Sequence, residues 1–299
     1  MSIHRSGFVN IIGNPNVGKS TLMNALVGER FSIITNKPQT TRHRIIAIIN
    51  EPNYQIVFSD TPGIIDQPGY KMQKAMNSQV FGALEDADIL IYMTDVSEER
   101  FIHPTLLKKL QSIEVPIYLV INKIDISNQE EVEDLSDWWH ERIEFDHTFA
   151  ISAKEKEGTS GLFNFILNDL KEGPEYFPKD QFTDRPEKFF VSEIIREKIL
   201  ELFHQEIPYS CEVIVSSFKE KESKRGPLVH IQATIVAGRK SQKNILIGKG
   251  GSAIKNLGIK SRLSIETFLD KPVHLELHVK VKSKWRDNDQ LLKSYGYLN

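Results

Sequence analysis

The sequence predicts two modules in series: a doubly wound α/β domain built on a mostly parallel sheet, followed by a smaller α+β domain. Three observations carry this reading. Short apolar runs bounded by turn signals alternate with helical patterns through the first 170 residues, and a G-x-x-x-x-G-K-S loop follows the first of these runs. After a proline-interrupted stretch the pattern changes to helix, strand, strand, helix, strand, helix. The resulting limits are residues 1–170 for the first module, 171–187 for a linker and 188–299 for the second module.

Apolar Phe8 to Ile12 read as a buried strand, and Thr21 to Val27 read as the helix that follows. Between them lies Gly13-Asn14-Pro15-Asn16-Val17-Gly18-Lys19-Ser20. A strand, a tight loop and a helix N-terminus gather backbone N–H groups and the positive end of a helix dipole around one point, which suits a phosphate chain. Gly13 and Gly18 allow close backbone approach, Lys19 supplies charge for the β- and γ-phosphates, and the Ser20 hydroxyl is placed to ligate Mg²⁺. With Thr21 opening the helix, the loop predicts a bound nucleoside triphosphate.

Next comes Pro38-Gln39-Thr40-Thr41-Arg42-His43-Arg44, whose second threonine, Thr41, is the candidate for another Mg²⁺ ligand, with Thr40 as fallback. Tyr54 to Phe58 alternate as a strand that leads into Asp60-Thr61-Pro62-Gly63. Asp60 at that strand end can hold Mg²⁺ through water, and the Gly63 N–H can touch the γ-phosphate, so loss of that phosphate would release the loop. The next residue, Ile64, cannot orient an attacking water as a glutamine in that place would. An isoleucine forms no hydrogen bond to water, so slow hydrolysis by the free protein is expected, with Lys19, Thr41 and Gly63 as the catalytic set.

The apolar run Val115 to Ile121 ends in Asn122-Lys123-Ile124-Asp125. The Asp125 carboxylate can accept from guanine N1–H and its 2-amino group, donors that adenine lacks, which selects GTP over ATP. Asn122 would tie this loop to the phosphate loop and the base, while the Lys123 methylenes cover one face of the ring. Phe149 to Ile151 then leads into Ser152-Ala153-Lys154, where the Ala153 N–H would reach guanine O6. These residues form the last wall of a guanine pocket.

Composition fits a two-module protein of 299 residues with 40% hydrophobic residues. The single cysteine, Cys211, excludes an intrachain disulfide and suits a reducing compartment. Met1 to Gly7 shows no long apolar stretch, and no run reaches membrane-spanning length, so a cytoplasmic protein is expected, with any membrane contact peripheral. The net charge of −2 hides a segregation: residues 187–299 carry 20 Lys and Arg against 13 Asp and Glu, while residues 1–186 carry 18 against 27. Between the modules, Pro174, Pro178, Pro186 and Gly173 break regular patterns and give a semi-rigid linker.

In the second module, Lys188 to Phe203 shows helical apolar spacing, and Ser210 to Phe218 and Leu228 to Val236 alternate like half-buried strands. The turn Ile247-Gly248-Lys249-Gly250-Gly251 follows, then a helical segment with Ile254, Leu257, Ile265 and Phe268, and a last strand over Val273 to Val281. Arg239, Lys240, Lys243, Lys249, Lys255, Lys260 and Arg262 form a stretch without an acidic residue, an electrostatic footprint for phosphates. Trp138, Trp139 and Trp285 are assigned to the core or to domain contacts rather than to base stacking.

A glycine turn of this kind at a helix start resembles the G-x-x-G loop of a KH domain, and the element order resembles the type II arrangement. The phosphate loop with Pro15-Asn16, the Gln39 to Arg44 run, Asp60 to Gly63 and the terminal Gly296-Tyr297 make the whole chain similar to the Era family of P-loop GTPases. That resemblance implies GTP hydrolysis to GDP and phosphate with Mg²⁺, and RNA binding through Ile247 to Gly251, Lys255, Arg239, Lys240 and Lys243. It further implies binding near the 3′ end of small-subunit ribosomal RNA and a checkpoint role in assembly of the small ribosomal subunit; a monomer is expected. In similar relatives an asparagine at the Asn16 position helps hold K⁺ in place of an arginine finger, so Asn16 is a candidate K⁺ ligand. Two alternatives stay open: a GTP-gated binding module with little hydrolysis, and a GTPase whose basic face reads anionic lipid or a protein partner.

Overall fold

The structure, a computed structural model, describes residues 4–98, 100–223 and 226–298. The expectations for the first three residues, and the outer module limits at 1 and 299, lie outside them. Two compact units divide the chain: residues 1–69 with 73–184, and residues 70–72 with 185–299.

The first unit is built on a six-stranded sheet in the order β2-β3-β1-β4-β5-β6, formed by β1 (Arg5–Gly13), β2 (Ile45–Glu51), β3 (Tyr54–Asp60), β4 (Ile89–Asp95), β5 (Ile117–Asn122) and β6 (His147–Ala150). All pairings are parallel except β2 with β3, an antiparallel edge absent from the sequence reading. The central strands are continuous apolar runs because both faces are covered; every residue of β4 and β5 is buried. Helices α1 (Lys19–Val27), α2 (Lys71–Glu85), α3 (Pro104–Leu110), α4 (Gln129–His140) and α5 (Thr159–Asp169) connect or follow the strands. One core cluster gathers Ile12, Val80, Leu90, Leu119 and Trp139, with Trp139 fully buried and its ring 4.7 Å from that of Tyr92. Neighbours β3 and β4 flank β1 on opposite sides, so the chain reverses its winding there. A crevice opens at such a point outside the carboxyl ends of the strands.

The segment after α5 is fixed to this unit by its backbone. Ser6 N–H donates to Lys171 O at 3.1 Å and Gly173 N–H to His4 O at 3.1 Å. The buried Gln55 amide accepts from the N–H groups of Tyr176 and Phe177 at 2.7 and 3.0 Å and donates to Phe177 O at 2.8 Å. Ile48 N–H donates to Phe182 O at 2.8 Å.

The second unit has a three-stranded sheet, β7 (Cys211–Ser223), β8 (Gly226–Ala237) and β9 (Val273–Val281), with β7 antiparallel and β9 parallel to β8. Helices α6 (Glu187–Leu202), α7 (Lys240–Ile247), α8 (Ser252–Leu269) and α9 (Asp289–Ser294) complete it. Val229, Ile231, Ala233 and Ile235 alternate into a core with Ile195 and Ile199 of α6, Leu246 of α7 and Leu257 and Ile265 of α8. The expected order of helix, strand, strand, helix, strand, helix is corrected by α7, which stands before the glycine turn. Its eight residues bury only Gln242 and Leu246, too little apolar periodicity to read from sequence. The turn itself needs glycine at Gly248, where φ is 73° and a Cβ would sit 2.7 Å from that of Ala253.

Trp285 is 1% exposed and donates from Nε1 to Ser210 O at 3.0 Å. Removing a buried indole leaves both a cavity and an unpaired carbonyl. Trp285→Ala is expected to lower unfolding stability of the second unit by about 3–5 kcal/mol in urea denaturation followed by circular dichroism; a loss under about 1 kcal/mol would show the ring to be dispensable.

Candidate functional site

The parallel strands of the first unit lead at their carboxyl ends into residues named from the sequence. β1 runs into the phosphate loop, β3 ends at Asp60, β4 at Asp95 and β5 at Asn122, and Ser152 to Lys154 follow β6. A cleft of about 780 Å³ lies at these ends, lined by Pro15, Asn16, Gly18, Lys19, Ser20, Thr21, Thr41, Thr61, Gly63, Asn122, Lys123, Asp125 and Lys154 among others. With Gln39 and Thr40, fifteen residues named from the sequence thus meet in one cavity.

At one end, Ser20 Oγ donates to Asp60 Oδ2 at 2.6 Å, and Thr41 Oγ1 lies 2.9 Å from Ser20 Oγ and 3.2 Å from Asp60 Oδ2. Asp60 Oδ1 is buried and completes no hydrogen bond, with the Ser32 hydroxyl nearby. Burial raises the Asp60 pKa, and the Ser20 hydrogen bond opposes that shift. Three hard oxygen donors around a buried carboxylate with an unused oxygen fit a small divalent cation. Thr40 also lines the cleft, but its hydroxyl donates to Lys37 O at 2.6 Å and meets Thr35 Oγ1 at 2.6 Å.

Lys19 is buried, and its Nζ donates to the carbonyls of Gly13 and Asn14 at 3.0 and 2.7 Å. Desolvation lowers its pKa to about 8 against the raising influence of Asp60 and Glu98. An anion beside it would restore what burial removed. Gly63 packs so closely on the phosphate loop that a Cβ there would lie 2.6 Å from Pro15 Cα.

At the other end, Asn122 bridges two loops: Nδ2 donates to Val17 O at 2.8 Å, and Oδ1 accepts from Ala153 N–H at 2.9 Å. Lys123 has φ 66° and pairs with Asp95 at 2.6 Å, which extends its methylenes along the cleft wall. Asp125 is exposed in the turn after β5, and beside Glu155 it contributes to the raised pKa of Lys154. Lys123, Lys154 and the Asp125 carboxylate line this end of the cleft together, a set that suits a base bearing adjacent N–H donors.

Several named residues act from outside the cavity. Gly13, Asn14, Val17, Pro62, Ile124 and Ser152 shape the loops without lining it, and Asn14 Nδ2 donates to Phe101 O at 2.9 Å. Ala153 does not line it, and its N–H, expected to meet a ligand oxygen, is taken by Asn122. Ile64 departs furthest from a ligand contact: it is 4% exposed and packs in the apolar cluster with Ile12 and Val80. Sequence reasoning missed Ile33, Ile34, Thr35 and Asn36, which line the cleft from an irregular segment without a motif. It also missed Glu98, hydrogen-bonded to Thr94, whose pKa burial pushes up to about 7.

In the second unit, the turn at 248–251 joins α7 to α8 with Gly250 and Gly251 both in the left-handed region and open to solvent-side approach. Arg239, Lys240, Lys249 and Lys255 are exposed, and Lys243 is half-buried. Arg262 is committed locally, donating to both carboxylate oxygens of Glu266 at 2.7 Å. Ile245 and Ile259 are also exposed. Charge and apolar surface beside a backbone-accessible loop suit single-stranded nucleic acid.

The family described as "50S ribosome-binding GTPase" matches residues 8–123, and the KH domain family matches residues 206–286. The GTPase Era of Alkaliphilus oremlandii is 44% identical over 98% of this chain and 99% of its own length. That of Heliobacterium modesticaldum is 43% identical over 98% of this chain and 97% of its own. Among solved structures, an Aquifex aeolicus Era variant bound to GDP and AlF₄⁻ superposes with a TM-score of 0.91 at 36% identity, covering 99% of this chain and 100% of that one. An Era in complex with MgGDPNP and nucleotides 1506–1542 of 16S ribosomal RNA gives a TM-score of 0.92 at 36% identity with the same coverages. By identity along nearly its whole length and by both matched domain families, the chain belongs to the Era family of GTPases.

Proposed function

We propose that this protein binds and hydrolyses GTP, binds RNA near the 3′ end of small-subunit ribosomal RNA through its KH unit, and acts in assembly of the small ribosomal subunit. The observation that carries the reading is the single cleft holding Lys19, Ser20 and Thr41 at one end and Asn122, Lys123 and Asp125 at the other. Ser20 and Thr41 would hold Mg²⁺ directly and Asp60 through water, and the ion supplies charge neutralisation for the phosphate chain. Lys19 holds the β- and γ-phosphate oxygens and absorbs charge that develops during transfer to water. The Gly63 N–H, pressed against the phosphate loop, senses the γ-phosphate, so its loss frees the loop and times release from RNA.

Ile64 packs in the core, so the residue after Gly63 offers the attacking water no side-chain partner. Slow intrinsic turnover follows, completed by K⁺. Asn16 supports that part of the reading: it lines the cleft, is exposed, has φ 66°, and among the described residues its amide has no hydrogen-bond partner. The protein acts as a cytoplasmic monomer. No helix among the described residues is long and apolar enough to cross a membrane. A contact with the inner face of the cell membrane would be peripheral in this reading.

Hydrolysis measured with and without a short RNA copied from the small-subunit 3′ end, alongside direct RNA binding in the GTP and GDP states, tests the reading. Nucleotide-dependent binding with stimulated turnover is expected, and Lys249→Glu with Lys255→Glu should weaken RNA and reduce the log–log salt slope by about 1 to 2. Absence of binding in both states would turn the search to lipid or protein partners. Turnover should be faster in K⁺ than in Na⁺, with the difference erased in Asn16→Ala; equal rates in the two salts would reject the cation. Asp125→Asn should weaken GTP by roughly 10-fold or more without weakening ATP, as lost charge-assisted hydrogen bonds imply. Unchanged competition between the two nucleotides would place base selection elsewhere.

A further inference from the structure

The face of the β7-β8-β9 sheet turned away from the helices carries a side-chain cluster that neither the nucleotide cleft nor the basic turn uses. His230 on β8 and His274 on β9 are directly paired in the parallel register, as are Gln232 and Glu276 one step along. These residues alternate with Val229, Ile231 and Ala233, which enter the core, so they project from the opposite face. The two imidazoles stack with centroids 4.9 Å apart and an interplanar angle of 20°. Their Nε2 atoms converge on one oxygen, Glu276 Oε1, at 3.1 and 3.3 Å. The other oxygen, Oε2, accepts from Gln232 Nε2 at 2.8 Å, which fixes the carboxylate plane.

The geometry points to a binding site for a borderline divalent transition metal, of which Zn²⁺ is the type, held by His230, His274 and Glu276. The ligand atoms lie within 4.8 Å of one another. Two neutral imidazoles and one carboxylate prefer zinc, cobalt or nickel over Mg²⁺ or Ca²⁺, which favour all-oxygen sets. Bonds of about 2.0–2.2 Å to a shared ion draw such atoms together. Turning the half-exposed His274 about its side-chain torsions supplies the remaining closure. Gln232 plays the part that outer hydrogen-bond partners play at metal centres, orienting a ligating carboxylate. Backbone placement is already settled by the β8-β9 ladder, so binding orders only side chains. Lys219, opposite His230 on β7 and exposed, faces the same side and opposes a cation there, as does a protonated His278 one pair further. Three ligands from one face leave the outer positions of the ion to water.

The test uses the full chain, stripped with EDTA and then saturated with GDP and Mg²⁺ so that the nucleotide cleft is filled. Equilibrium dialysis against Zn²⁺ is expected to retain a single equivalent, and Co²⁺ in its place should give ligand-field absorption bands. His230→Ala with His274→Ala should abolish both signals, and Gln232→Ala should weaken zinc by about 10-fold, the typical effect of removing an outer partner. Should the double variant fail to fold, His274→Gln alone carries the test, since that side chain is 55% exposed. No retained zinc, or an unchanged stoichiometry and cobalt spectrum in the variants, would overturn the assignment and leave Glu276 as a hydrogen-bond acceptor for two histidines.

Discussion

Removal of Lys19 from water is the constraint on which the nucleotide cleft depends. An ammonium group held by two carbonyls of its own loop, beside a buried carboxylate, is stable only where the backbone cannot relax around it. The parallel sheet provides that rigidity. β1 is clamped between β3 and β4 and fixes the loop leaving it, and the same register brings Asp60 and Asn122 to the level of that loop. Asp60 and Lys19 are each destabilised in their charged forms by burial, in opposite pKa directions. A ligand that is both anionic and metal-bound relieves the two together, so cleft and ligand are complementary in charge as well as in shape.

Much of the cleft was legible in the sequence because its chemistry is carried by consecutive residues with backbone-determined geometry. The phosphate loop, Asp60 to Gly63 and Asn122 to Asp125 each sit at a strand end, and a buried strand announces itself by an apolar run. The sequence ranked Thr41 above Thr40, and the contacts give the physical difference: the Thr40 hydroxyl closes a local turn with Lys37, while that of Thr41 reaches Ser20 and Asp60. The wall formed by Ile33 to Asn36 left no trace, because an irregular segment has no period to detect. The strand β2 and helix α7 escaped for related reasons: one pairs as an edge whose register is invisible locally, and the other presents too narrow an apolar face.

Ile64 and Ala153 show a different limit. Their sequence neighbours Gly63 and Lys154 line the cleft, which invites a direct role. Ile64 instead fills the core beneath the loop, and the Ala153 N–H closes a bond with Asn122 that braces the base-binding end. In this structure both lie beside the cleft rather than in its lining. Asn122 carries the greater structural burden, since one amide connects the phosphate loop to the turn after β6.

The bonds that fix residues 171–184 bear on the edge of the first unit's sheet. β2 is an outermost strand, and its free side would present unpaired N–H groups to any other extended chain. Phe182 O takes the Ile48 N–H, Gln181 O takes the Asn50 amide, and Gln55 holds the same segment further back. The stretch that composition marks as a connector thus bonds to the sheet edge at Ile48 and Asn50. A fragment ending at 170 would lose both bonds, while a fragment ending at 184 keeps them.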